Sequence, residues 1–234
     1  MALFLLLETS SVVCSVALAK DGDILSIRES REEKSHAAWL TVFIDDILDE
    51  QNIRAADLDA VVVSKGPGSY TGLRIGVSTA KGLCYAMDKP LIAINTLDAL
   101  ASGVKKEKLE AAPDDYFLCP LIDARRMEVY SAIFDKNLQK VQEVKAQVID
   151  ENSYGGYRDK DQPFYIFGDG AAKVAEVLKG ENVNHLPEIV PSARYLLEPA
   201  MQKYRQKAFE DVAYFEPYYL KDFIATTPKK NIFH

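Results

Sequence analysis

Two periods of apolar residues alternate along the chain. Residues 3–7 (LFLLL) form a continuous apolar run of strand length, as expected of a strand covered on both faces. A polar turn, Glu8-Thr9-Ser10-Ser11, leads into a second apolar run over residues 12–19. Asp21-Gly22 is a hairpin signal, and residues 24–27 (ILSI) pair back as a third strand. The pattern then predicts a helix over 35–50 with Ser35 as its N-cap and His36 at its surface. A strand over 60–64 and a glycine-rich turn follow, then a helix from about 71 to 87. A strand over 91–94 and a helix over 96–109 complete this half.

The order recurs. Residues 116–122 (YFLCPLI) repeat the apolar strand and Asp123-Ala124-Arg125-Arg126 the polar turn; 128–134 and 138–149 repeat the second and third strands around a hairpin at Asp135. Glu8 and Asp123 lie 115 positions apart, and Asp21 and Asp135 lie 114 apart, a near-constant offset that indicates internal duplication. The second half continues more briefly: a polar loop over 152–162, a strand over 164–167, the turn Gly168-Asp169-Gly170, a helix over 171–179 and a later helix over 191–206. Three antiparallel strands followed by alternating helix and strand, present twice, predict an α/β protein of two duplicated RNase H-like lobes, the actin/Hsp70-like ATPase fold. Each lobe is then a mixed sheet with antiparallel hairpins and flanking helices. The charged stretch around 105–115 divides lobe 1–109 from lobe 110–234, whose final segment is a candidate to pack back on the first lobe.

Two helices of the first lobe carry unusual faces. At 100° per residue, Ala37, Leu40, Phe43, Ile44, Ile47 and Leu48 form the core stripe of the first helix. Trp39, the only tryptophan, falls with Val42 on the opposite face among Asp45, Asp46, Asp49 and Glu50, where it is either an interface anchor or a stray surface aromatic. In the next helix Gly72, Gly76 and Ala80 recur every four residues. Each helical glycine costs roughly 1 kcal/mol relative to alanine. Such a stripe usually gains close backbone approach, either inside the lobe or at a subunit contact.

Composition narrows the chemistry. The net charge is -7, so nucleic acid is not expected to bind directly without a local basic patch. The three cysteines are scattered in apolar patterns, and the three histidines are isolated, which fits reduced thiols in the cytoplasm and argues against a metal. No segment is expected to span a membrane. The stretch SKGPGSYTGLRIG lacks the lysine of a P-loop, and its third glycine comes one position late for a dinucleotide turn. An actin-type cleft remains an alternative. In it Glu8, Thr9 and Ser10, Gly66, Gly68 and Ser69, and Asp123 and Arg125 contact a nucleotide, with Glu8 and Asp123 as organising acids. The competing reading is that the two acids only cap their turns, or that Asp123 pairs with arginine across the cleft. No triad or metal-ligand spacing supports a peptidase.

The motifs LLLETSSVVCSVAL, SHAAWL, DLDAVVVSKGPGSYTGLRIG, KGLCYAM, DARRMEVYSAIF and EPYYLKD resemble those of the TsaB (YeaZ) family from end to end, the glycine stretch being the most specific. Tyr70 stands where the family usually has phenylalanine, and Glu8 where it usually has aspartate. The resemblance implies a cytosolic, non-catalytic scaffold in the formation of threonylcarbamoyladenosine in tRNA, with no cofactor and no metal of its own. It implies a heterodimer with a TsaD-like catalytic subunit through the first two helices, joined by a TsaE-like ATPase, with tRNA met only through the complex. The partner-face residues on those helices are His36, Trp39, Val42, Phe43, Gly72, Leu73, Gly76 and Ala80. Homodimerisation through the same helices is left open.

Overall fold

The computed structural model describes residues 2–32, 36–109, 115–158 and 160–221. The expected N-cap Ser35, part of the expected lobe boundary and the tail beyond Lys221 lie outside them. The first lobe consists of β1 (Leu3–Glu8), β2 (Cys14–Lys20), β3 (Asp23–Ser30), α1 (His36–Glu50), β4 (Ala60–Gly66), α2 (Tyr70–Met87), β5 (Leu91–Asn95) and α3 (Thr96–Lys108). The second consists of β6 (Phe117–Asp123), β7 (Glu128–Asp135), β8 (Lys140–Val148), α4 (Gly155–Arg158), β9 (Phe164–Phe167), α5 (Ala171–Val174), β10 (Val183–Leu186) and α6 (Leu197–Arg205).

The duplication is complete at the level of topology. One sheet runs β3-β2-β1-β4-β5, the other β10-β9-β6-β7-β8, which is the same order read from the opposite edge. In both, the first strand pairs antiparallel with the second and parallel with the fourth, β1 with β2 and β4, β6 with β7 and β9. This is the actin/Hsp70-like arrangement.

The differences from expectation are local. Residues 155–158 form a helical turn inside the expected loop. The helix expected over 171–179 is regular only to Val174 and continues as turns, Leu178 N–H bonding to the Val174 carbonyl at 3.0 Å. Strand β10 went unread because VNHL has little apolar pattern to see; it exists by pairing with β9. The helix expected over 191–206 begins as a 3-10 turn (Ala193–Leu196) and becomes α-helical only from Leu197, with Pro199 in its first turn, where the missing N–H costs nothing.

A central core joins the lobes. Ile94, Leu97 and Leu100 pack with Leu118, Ile122 and Phe134 and with Leu196. A second core seals α1 and α2 onto sheet one through Leu40, Ile44, Ile47, Val77 and Cys84 against Leu5, Leu7 and Val63. Each such aliphatic side chain, fully buried, contributes roughly 1.5–3 kcal/mol. The chain then returns: Glu210 bridges to Leu91, and Val212 and Phe215 pack on the second core. Lys81 Nζ donates to the carbonyl of Phe215 at 2.8 Å. This return lays the last described segment over α2.

Candidate functional site

The turn after β1 is bound to the glycine stretch after β4. Thr9 Oγ1 donates to the Gly72 carbonyl at 2.8 Å, and Ser69 N–H to the Ser10 carbonyl at 2.6 Å. An added Cβ would overlap the Ser10 carbonyl oxygen at Gly68, the Thr9 carbonyl oxygen at Gly72 and Thr9 Oγ1 at Gly76. Gly66 combines a φ of 109° with the carbonyl of Tyr218 close against its Cα. These glycines therefore admit chain from elsewhere in the molecule. Of the two uses open to the Gly72/Gly76/Ala80 stripe, close packing inside the lobe is the one realised. Gly72, Leu73, Gly76 and Ala80, expected on a partner face, are all buried within the lobe. The sequence reveals that something approaches closely, but not what.

Two backbone donors of this turn, the Ser10 and Val13 N–H groups, are used at home. Glu8 is 1% exposed, and its Oε1 accepts the Ser10 N–H at 2.6 Å; Ser11 Oγ accepts the Val13 N–H at 3.1 Å. Burial raises the Glu8 carboxyl above its usual pKa, against the opposing pull of Ser10, Ser64 and Thr9. Ser64 also shares a 2.7 Å hydrogen bond with Thr96. The second turn is satisfied in the same way. Asp123 Oδ1 accepts the Arg125 N–H at 2.6 Å and the Lys173 ammonium at 2.6 Å, while its own N–H donates to Asp169 Oδ1 at 3.2 Å. The acid–arginine pair considered above for Asp123 is replaced by this lysine pair inside the second lobe. Sequence reasoning assigned nothing to Asp169 or Lys173; the signal for Asp169 was its place in Gly168-Asp169-Gly170, the counterpart of the glycine turn. Among the described residues no cluster of three or more His, Cys, Asp or Glu side chains is placed to hold a metal ion.

Asp169 supplies a pH test. Burial lifts its carboxyl from the usual 3.8 to about 7; the Asp123 N–H opposes this, and the nearby Asp123 and Glu8 carboxyls reinforce it. A carboxyl that keeps its proton when folded and loses it when unfolded makes stability fall as pH rises, here between about 4 and 7. Asp169→Asn is expected to flatten that decline in urea denaturation midpoints, with the part owed to Glu8, which is shifted the same way, remaining. A slope identical to that of the parent chain would contradict it.

The outward face of α1 presents Trp39, 39% exposed, and Val42, 41% exposed, with the Trp39 ring stacked on Phe43 at 5.7 Å and 19°. Around them Asp45, Asp46 and Asp49 are exposed, and Glu50 pairs with Arg28. Phe43, expected in the core stripe, is half-buried, and Ala37 is exposed. His36 takes the core position instead. Expected at the surface, it is 8% exposed, and burial holds its pKa below the usual value, against the hydrogen bonds to the Val13 and Ser11 backbone, which raise it. The helix begins over the β1–β2 turn, so its first residue points inward. On α2, Tyr85 is 86% exposed and Gly82 faces open space. No helix among the described residues is long and apolar enough to cross a membrane.

Residues 27–229 match the family model described as TsaD, tRNA N6-adenosine threonylcarbamoyltransferase. The tRNA threonylcarbamoyladenosine biosynthesis protein TsaB of Haemophilus influenzae is 30% identical over 231 residues, covering 93% of each chain. Among solved structures, YeaZ from Pseudomonas aeruginosa superposes with a TM-score of 0.78 at 26% identity, covering 94% of this chain and all of that one. The (R)-2-hydroxyglutaryl-CoA dehydratase component A of Acidaminococcus fermentans shares the fold, with a TM-score of 0.52 at 10% identity over 89% of this chain and all of that one.

Proposed function

The chain belongs to the TsaB (YeaZ) family of tRNA threonylcarbamoyladenosine biosynthesis proteins, and from that premise we propose that it is a non-catalytic subunit which binds and activates a TsaD-like catalytic partner. It works with a TsaE-like ATPase in the cytoplasm, and tRNA is modified by the complex. The observation that carries this reading is the Trp39–Val42–Phe43 surface, an aromatic and aliphatic group exposed on a helix whose other face is fully committed to the core. Aromatic anchors of this kind dominate the energy of protein interfaces. The cleft supports it as well. A nucleotide site of the actin type needs free backbone N–H groups at its turns, whereas Ser10, Val13 and Arg125 donate theirs to side chains of their own turns.

Mixing the chain with its TsaD-like partner tests the proposal. The expected result is a stable complex in a mass measurement, tRNA modification by the reconstituted set, and no modification by this chain alone. Modification by the isolated chain would overturn the non-catalytic role, and tight Mg-ATP binding in isothermal titration, lost in Asp123→Ala, would restore the ATPase reading. A second copy of this chain is the natural competitor for the α1 face, so partner addition is expected to dissociate any homodimer.

A further inference from the structure

The return segment ends across the mouth of the cleft. Tyr218 N–H donates to the Lys65 carbonyl of the first lobe at 2.7 Å, and three residues later Lys221 Nζ reaches Glu128 of the second lobe at 2.5 Å. On the first-lobe side the Tyr219 ring lies 4.9 Å from that of Tyr70, over which the Arg74 guanidinium sits at 5.5 Å. On the second-lobe side the β6–β7 turn carries Arg125 and Arg126, both exposed, beside Glu128, whose N–H bonds to the Arg125 carbonyl at 3.1 Å. Tyr218 and Tyr219 each keep 38% of their surface exposed. Tyrosine rings and Arg74 thus gather on the first-lobe side and two arginines on the second-lobe side, in a chain whose net charge is -7. Acids are present there too: Glu128 is engaged with Lys221 and Asp123 with Lys173, while Glu216 lies exposed beside Arg74 and Tyr219.

The backbone adds a second observation. Arg125 and Arg126 have φ values of 72° and 51°, a left-handed conformation that glycine or asparagine adopts at lower cost. Two consecutive arginines held there, with side chains directed to solvent, point to use of the guanidinium groups.

We infer that this rim, Tyr70, Arg74, Tyr218 and Tyr219 on one side and Arg125 and Arg126 on the other, contacts the RNA substrate within the assembled complex. The inference rests on the proposed function, since it places the RNA on the scaffold as well as on the catalytic partner. The ligand chemistry is that of an unpaired loop: guanidinium groups take phosphates, and exposed tyrosine faces take splayed bases by stacking. The acidic remainder of the surface repels RNA, which confines contact to the rim and makes it dependent on the partner for most of its affinity.

The test uses the reconstituted complex, unmodified tRNA and the double variant Arg125→Asn/Arg126→Asn. Asparagine suits the left-handed turn, so the fold and its melting temperature should hold or improve. Expected are unchanged assembly by mass, tRNA affinity weaker by roughly tenfold, and a log–log salt slope reduced by about 0.7 for each phosphate the arginines had neutralised. Tyr219→Leu should weaken affinity with the salt slope unchanged. Affinity and slope equal to those of the parent complex, with assembly intact, would overturn the inference and leave the scaffold role standing. Loss of assembly in the double variant would also overturn it, because the rim would then be a protein contact. Failure of the parent chain to assemble would remove the scaffold reading and this inference together.

Discussion

Replacing Gly72 by alanine is expected to destabilise the folded chain by about 3 kcal/mol or more, measured by urea denaturation of the isolated protein. The new Cβ would overlap the Thr9 carbonyl oxygen, which is backbone and cannot rotate away. Thr9 is itself fixed, since its Oγ1 donates back to the Gly72 carbonyl and its side chain is fully buried against Gly76. Relief therefore requires α2 to separate from the β1–β2 turn, which also breaks the 2.6 Å bond from Ser69 to Ser10. Gly82 of the same helix provides the control. Its Cβ would meet nothing within 4 Å, so Gly82→Ala should follow helix propensity and stabilise by up to about 1 kcal/mol. Equal effects at the two positions would show that the stripe is not a packing device. Were the stripe a subunit contact, bulk at Gly76 would block a partner and spare the fold. With Thr9 lying against Gly76, the fold is what such a substitution attacks first.

Trp39→Ala is expected to weaken assembly with the TsaD-like partner by roughly 30-fold to 1000-fold, the effect of removing an aromatic anchor worth about 2–4 kcal/mol. The stability of the isolated chain should change by less than about 1 kcal/mol. The ring is 39% exposed, and it stacks on Phe43, which is itself only half-buried. Ile44 and Ile47 on the opposite face hold α1 to the sheet irrespective of Trp39. Titration of labelled partner, with a thermal melt of the variant, separates the two effects. Undiminished affinity would exclude the α1 face as the docking surface. A large drop in melting temperature would mean that Trp39 packs within the lobe.

Much of this was legible in the chain. A continuous apolar strand, a polar turn and a hairpin-joined pair of strands have few folded outcomes, and meeting that order twice at nearly the same spacing gave the duplicated sheets, because period and turn chemistry act locally. The outward placement of Trp39 followed from helical geometry alone. His36 and Ala37 were misplaced because the first turn of α1 is oriented by what lies beneath it, the β1–β2 turn, and helical phase carries no record of that. β10 was missed for a related reason: its four residues become a strand only because the β9 edge offers them hydrogen bonds.

The same division runs through the candidate sites. Residue type and spacing by themselves ruled out a P-loop and a dinucleotide turn, since those motifs need particular side chains at particular separations. Spacing could mark Gly72, Gly76 and Ala80 as a face made for close approach, yet it left a subunit contact and an internal one equally open. The tertiary structure decided between them by bringing Thr9, 63 positions away from Gly72, onto that face. It likewise joined Asp123 to Lys173 and carried Tyr218 back to Lys65 across 153 positions of sequence. Local sequence fixes which conformations each segment can adopt. Which distant segments then fill the space beside them depends on burying the whole apolar surface at once, and only the folded chain settles that.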